Sequence, residues 1–396
     1  MKFTVAKQDL EAALAIVTSA MSSTGNDLTS HYLFRVAGSG MEVLTHSGRI
    51  VALSPFIARV EDAQPGITMF TVEGWRLRAW LRPFKDCAFT FEYDSSSKKV
   101  SVEPQGQEEL KGSRFESLDP TNWHFWDNAL EVAKSIGKIP ASRLHHALNH
   151  SRKFASDQEN SSPELCVCEV KNSVLLSTDK AAATILRVQG LENSNMKVHI
   201  RDAGGIMSFL SLAGEAPVEI FEHPRTTFFK RQDGAVYGES RFTAPFPNFK
   251  FPSNDDDHVW VLDVDALKRG IQHLVALANK DDTRVIFRRP DPTGPVIMTM
   301  MINNESLASS FKLKVSDQVD GVVPIPADGF QLNHQRLSDL LDLQKTDTVR
   351  FGVNIRVGDD GEVKGGYVRF HAVEFADKDG NNGDEYTTIL AFLKAN

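Results

Sequence analysis

The chain repeats one pattern at about a third of its length, and a threefold repeat restricts the fold more than any single motif does. Three helix-like stretches start near Trp75, Ala203 and His334, and each gives way to alternating strands. The first, Trp75-Arg76-Leu77-Arg78-Ala79-Trp80-Leu81, precedes Ala88–Tyr93 and Lys99–Glu103. The second includes Gly205–Leu212 and precedes Val218–Phe221 and Thr226–Phe229. The third includes Arg336–Leu343 and precedes Thr348–Val353 and Tyr367–Phe370. At each place an apolar period of about 3.6 residues switches to a period of two, the change from helical stripe to pleated strand.

Each unit also opens with a helix, over Gln8–Met21, Ala141–Ser156 and Val264–Lys280. The second follows Pro140, and the third follows Asp263, which is placed to cap it. Further alternating segments, such as Val167–Val170 and Ser173–Ser177, lie between the two helices of a unit. Each third therefore reads as two helices packed on antiparallel sheet, an α+β fold. The expected domains are 1–135, 136–252 and 253–396, divided at the polar stretch before Ile136 and at Pro252–Asp257.

A chain of 396 residues exceeds one ordinary core, and 41% hydrophobic with 24% charged residues suits a folded soluble protein. Met1–Val5 lacks the long apolar core of a signal peptide, and no apolar run is long enough to span a bilayer, so a cytoplasmic protein is expected. Cys87, Cys166 and Cys168 are too few for a disulfide scaffold. Cys166 and Cys168, two apart in a strand-like run, are expected as small buried thiols rather than metal ligands. There is no phosphate-binding loop, dinucleotide fingerprint or Gly-x-Ser-x-Gly, so neither catalysis nor a cofactor is expected. Asp377–Glu385 resembles a calcium loop, but Asn382 stands where glycine is needed and Thr388 where the last glutamate is needed. A hairpin turn is the expectation there. His146 and His150 lie one helical turn apart without an evident third ligand, which leaves them short of a metal site.

The formal charge of −8 argues at first against nucleic acid, since phosphate neutralisation needs cations. The distribution matters more than the sum. On a helical projection Arg143, His146, His150 and Lys153 share a side opposite Leu144, Ala147, Leu148 and Ser151. Arg269, Gln272, His273 and Lys280 lie opposite the stripe of Val264, Leu267, Ile271, Leu274 and Ala278. Arg76, Arg78, Arg82 and Lys85 cluster within ten residues. Several helices are thus expected to carry basic, acid-free faces, the first helix being the exception with Lys7 beside Asp9 and Glu11.

Over nearly its whole length the chain resembles the bacterial DNA polymerase III beta subunit, the dimeric DNA sliding clamp. The resemblance rests on Met1–Val5 followed by a helix, and on Gly205–Leu210 with Ala216–Ile220. It rests also on the linker Phe242-Thr243-Ala244-Pro245-Phe246-Pro247-Asn248-Phe249-Lys250-Phe251-Pro252, on Phe351–Phe370 and on the last strand from Tyr386. The resemblance implies three similar domains per chain and two chains closed head to tail, with helices lining the hole and sheets on the rim. Roughly twelve helices of about 10 Å give a circumference near 120 Å and a hole of about 28 Å. A duplex of about 20 Å fits with water between helix and phosphate, as sequence-blind sliding needs.

The same resemblance implies partners: double-stranded DNA, a DNA polymerase, a clamp loader and a second copy of the chain. Arg114–Leu118 matches the edge strand of the family's ring interface, with Phe115 and Leu118 as contacts, and Ala276 and Leu277 match the helix end that meets it. The family's peptide pocket maps onto Thr178, Lys180, Ala181, Ala183, Pro252, Ile389, Leu390, Ala391 and Phe392. Thr178-Asp179 matches the start of a Thr-Asp-Gly-His-Arg-Leu segment, but Lys180-Ala181-Ala182-Ala183 follows. The polar lip is therefore altered, while Ile389-Leu390-Ala391-Phe392 keeps an apolar character that suits an apolar peptide anchor. A clamp-fold interaction protein that binds clamp partners without encircling DNA is the alternative.

Overall fold

The computed structural model describes residues 1–22, 27–38, 40–62, 68–106, 111–123, 126–158, 160–199, 203–248, 256–278, 284–302, 305–321, 323–357, 363–374 and 383–392. In chain order, β1 (Lys2–Ala6) leads into α1 (Lys7–Thr18). There follow β2 (His31–Ala37), β3 (Gly40–His46), β4 (Ile50–Phe56), β5 (Arg59–Asp62), β6 (Met69–Glu73) and α2 (Gly74–Leu81). Next come β7 (Ala88–Asp94), β8 (Lys99–Pro104), β9 (Ser113–Glu116) and the short α3 (Asp127–Glu131). The pattern restarts with β10 (Lys134–Pro140), α4 (Ala141–Lys153), β11 (Val167–Lys171), β12 (Val174–Thr178), β13 (Ala182–Arg187) and β14 (Asn195–His199). It continues with α5 (Ala203–Ser211), β15 (Pro217–Glu222), β16 (Thr226–Arg231) and β17 (Val236–Ser240). A third round comprises β18 (His258–Asp263), α6 (Val264–Val275), β19 (Arg284–Arg288), β20 (Val296–Ile302), β21 (Glu305–Leu313) and β22 (Val315–Val319). It closes with β23 (Phe330–Asn333), α7 (His334–Leu343), β24 (Thr348–Val357), β25 (Val363–Glu374) and β26 (Asp384–Ala391).

The repeated helix-then-strand order expected from the sequence is present in all three rounds. Helices α1, α2, α4, α6 and α7 each begin on the residue after a strand ends. The opening helices stop earlier than their apolar periodicity suggests, at Thr18, Lys153 and Val275. At α4 the reason is Phe154, which turns fully into the core with its amide on Ser151 O at 3.1 Å. Asp263 caps α6 as expected, its Oδ1 accepting from Ala266 N at 2.6 Å, and Asn333 does the same for Arg336 N at 3.1 Å on α7.

By internal contacts the chain forms two compact units, residues 1–145 with 201–242 and residues 146–200 with 243–396. The first holds a five-stranded sheet, β5-β1-β7-β8-β9, and an eight-stranded sheet, β10-β15-β16-β17-β4-β3-β2-β6. Its core is aromatic: Phe3 stacks on Phe91 with ring centres 4.9 Å apart, and Phe34 on Phe70 at 5.3 Å. Burying each such ring contributes about 1.5–3 kcal/mol. The second unit holds a nine-stranded sheet, β14-β11-β12-β13-β26-β25-β24-β18-β22, and a four-stranded sheet, β21-β20-β19-β23. Leu267, Ile271 and Leu274 of α6 and Leu337, Leu340 and Leu341 of α7 close that core over Trp260, Phe287, Phe330 and Phe351. Cys166 and Cys168 of the same unit are buried, as expected for small thiols.

Within the first unit, β17 pairs with β4, and Gly238 stands opposite Val51. A Cβ on Gly238 would lie 2.6 Å from Phe228 Cδ1 and 2.8 Å from Val51 Cγ2, so no side chain fits without displacing both. Gly238→Val is expected to lower stability by about 1–3 kcal/mol through overpacking of this seam, read as a shift of the urea midpoint.

Candidate functional site

The cations singled out on α2 divide between two sides of the helix. Leu77 and Leu81 are buried, and Arg78 and Arg82 stand exposed one turn apart. Arg76 lies on the other side, its Nε 3.0 Å from Glu73 Oε2 and its guanidinium 5.3 Å from the centre of the Trp75 ring. On α6, Arg269, Gln272 and His273 are exposed as expected, and His273 Nε2 lies 3.1 Å from Ser309 Oγ. The face is not free of acid, however, because exposed Asp265 precedes Arg269 by one turn. Lys280 lies outside the described residues.

The basic face expected on α4 is corrected more sharply. Arg143 is half-buried and Lys153 exposed, but His146 and His150 are buried. His146 Nε2 sits 2.7 Å from Glu374 Oε2, and His150 Nε2 sits 2.9 Å from Thr388 Oγ1. Tyr386 packs against both imidazoles, at 5.1 and 5.3 Å between ring centres. Two histidines held this way have no route to a phosphate. Lys153 Nζ, in turn, is 2.9 Å from Asp339 Oδ1 of α7.

In the first unit a groove of about 690 Å³ runs between α2 and β9, and among the described residues β9 has β8 as its one partner in the sheet. Phe115 was expected to project from this edge. Instead it turns inward, 8% exposed, with its ring 6.0 Å from Trp80. The apolar group left open at the groove is Trp75, 59% exposed, which the sequence reading passed over. Leu118 is pinned beside it by its amide, 2.8 Å from Thr71 Oγ1. In the second unit, Ala276 and Leu277 follow the last turn of α6 and both face solvent, Leu277 at 51%.

The second unit also has a cleft of about 560 Å³ at the meeting of the α4 C-terminus, the β12–β13 turn and the start of α7. Arg152, Lys153, Gln158, Asp179, Lys180, Asn333, Gln335, Arg336 and Asp339 line it. Thr178 is buried under the turn, its Oγ1 donating to Ala182 O at 2.7 Å and accepting from Lys180 N at 3.1 Å. Asp179 Oδ1 accepts from Ala181 N at 3.0 Å and Ala182 N at 2.8 Å, and its Oδ2 pairs with Arg336. Lys180 is thereby held at φ +79°, a left-handed conformation that favours glycine.

The apolar residues expected to anchor a peptide are not open to this cleft. Ala183 pairs with Ile389 and Ala182 with Leu390 across β13 and β26, and Ala183, Ile389 and Leu390 are buried. Phe392 stacks on Phe330 with ring centres 4.7 Å apart and its amide 3.0 Å from Gly366 O. Ala181 and Ala391 are exposed, and Pro252 lies outside the described residues. What the sequence missed is the contribution of Arg152, Asn333, Arg336 and Asp339, since no local signal shows that residues some 150 positions apart share a wall.

No protein-family model matches the chain, and no curated protein matches it. Solved structures do. The DNA polymerase III subunit beta of Pseudomonas aeruginosa is similar at 14% identity and a TM-score of 0.76, with 100% of each chain covered. The DNA polymerase sliding clamp of Caulobacter crescentus matches at 13% identity and 0.77, and the beta clamp of H. pylori at 13% and 0.76, again with 100% of each chain covered. This chain has the sliding-clamp fold.

At such identities the clamp fold is carried by element order and core volume rather than by particular side chains. The buried pair on α4 belongs to that core. Burial first, then the neighbouring His146, push the His150 imidazole down from 6.5 to about 3. The folded chain therefore leaves His150 neutral where the unfolded chain takes up a proton. Its contribution to stability is whole above pH 6.5 and is lost as pH falls from there towards 3. The expected slope from this group approaches about 1.4 kcal/mol per pH unit. His150→Gln is expected to flatten that acid limb, measured by urea unfolding on either side of pH 6.5.

Proposed function

We propose that this protein is a DNA sliding clamp, a non-catalytic ring of two chains that encircles duplex DNA and tethers a polymerase. The observation that carries the reading is the likeness to solved clamps over the full length of both chains. In this reading each chain supplies three clamp domains, and the α2–β9 groove of one copy receives the end of α6 of the other. Trp75 and Leu277 support it, because large apolar side chains left open beside a strand edge are the raw material of an interface. Arg78, Arg82, Arg269 and Gln272 are the exposed donors best suited to phosphates, with Lys153 joining once its pair with Asp339 opens.

The contact with DNA is loose and sequence-blind in this proposal. No described helix is long and apolar enough to cross a membrane, and no partner in a bilayer is invoked. One observation favours a second reading, a clamp-fold interaction protein that does not encircle DNA. Exposed α1 residues include Asp9 and Glu11, and α5 exposes Gly204, Ser208 and Ser211, so neither of these helices offers an exposed cation.

Mass in solution separates the two readings. The clamp reading expects a species near twice 44.0 kDa by light scattering, retained on circular duplex DNA after loading and lost when that DNA is cut. Leu277→Asp is expected to weaken self-association by about 2 kcal/mol or more, as for a central apolar contact. A wild-type monomer that no circular DNA retains would overturn the clamp reading and leave the interaction protein.

A further inference from the structure

We infer that the stretch between β9 and β10, described at residues 118–123 and 126–133, is a releasable strap whose docking stiffens the seam where β17 of the middle third pairs with β4 of the first. Three observations carry this. First, the strap grips both sides of the seam. Trp123 meets His46 of β3 edge-on with ring centres 4.7 Å apart, and Trp126 stacks on Phe228 of β16 at 5.8 Å. Together the two indoles cover Val51 and Leu53 of β4 and Val236 of β17, one face of a join only four residue pairs long.

Second, little besides those rings ties the strap down. Among the described residues it adds no strand to either sheet. The amides of Trp123, Ala129 and Ala133 bond within the strap, to Pro120, Trp126 and Leu130, and Leu118 N reaches a side chain, Thr71 Oγ1. Asp127 Oδ2 accepts from Arg35 Nη1 at 2.6 Å, but Arg35 also holds Glu42 through Nε at 2.8 Å and Nη2 at 2.7 Å. Release therefore strands no half-buried cation, the event that makes breaking most buried pairs costly. Third, the indoles dock imperfectly. Trp123 and Trp126 are each 4% exposed, and neither Nε1 finds an acceptor among the described residues. Water satisfies both on release, so docking keeps less of the apolar gain than two buried indoles usually bring. A segment held this way opens below the free energy of global unfolding. On the clamp reading the seam joins the first two clamp domains, and the strap sets how readily that joint gives.

The test is native-state hydrogen exchange, read by mass spectrometry on the intact protein without DNA. The strap is expected to exchange first, the seam strands β4 and β17 next, and the aromatic-core strands β1 and β7 last. Asp127→Asn leaves Arg35 paired with Glu42 and is expected to speed exchange of the strap and of both seam strands by about fivefold. Trp126→Ala is expected to speed them by about a hundredfold or more. Unchanged exchange of β11–β13 in the second unit certifies the fold of each variant, and if Trp126→Ala does not fold, Asp127→Asn decides alone. A strap as protected as β1 and β7, or seam strands that keep their wild-type exchange when the strap is freed, would overturn the inference. The clamp reading is judged separately by retention of the unaltered protein on circular DNA, so either can fail without the other.

Discussion

A β-strand with one neighbour leaves half of its amides and carbonyls unpaired, and a chain built from repeats faces that problem wherever one repeat ends. Here two strand pairings solve it. In the first unit β17, from the middle third, pairs antiparallel with β4, from the first third. In the second unit β13, also from the middle third, pairs with β26, from the last. Each pairing turns two short sheets into one long one, so the middle third has no sheet of its own and is divided between the units. The close packing at Gly238 follows from this, since a seam between repeats has no slack for a Cβ.

Much of that architecture was legible in the sequence, because it is written in periodicity. The alternation in Ala88–Tyr93 and the stripe of Leu267, Ile271 and Leu274 each depend on one element alone, and both elements formed. The side chosen by α4 was not legible. His146 and His150 look like part of a cationic face until Glu374 and Thr388, more than 220 residues away, are brought beneath them. An imidazole is polar enough to sit in water and apolar enough to be buried, and what decides is the partner, which a helical projection does not contain. Phe115 turns inward for the related reason that an edge strand still has two faces, and Trp80 packs on the inner one.

The cleft illustrates a different limit. Lys180 stands where the resembled family's segment has glycine, and that departure is visible in the sequence itself. The apolar residues at Ile389–Phe392 suggested an apolar anchor for a peptide. Apolar character in a sequence says that a residue will be buried; it does not say against what. Leu390 and Phe392 meet that demand within the chain itself, on the core and on Phe330. The surface left over is then set by residues no pattern had grouped.

Lys153 shows how a single ion pair bears on the clamp reading. It is exposed at the end of α4, a helix whose histidines are buried, and it lines the cleft beside the β12–β13 turn. Its pair with Asp339 is half-exposed, and pairs of that kind contribute about 0–1 kcal/mol, little enough for a stronger anion to open. Opening it towards a phosphate leaves Asp339 unmatched at the cleft wall, so the gain from the phosphate must exceed the small loss of that pair. One ammonium cannot neutralise the carboxylate and a phosphate at once. On the clamp reading, Asp339 is therefore the resting partner that keeps the Lys153 ammonium exchangeable for a phosphate.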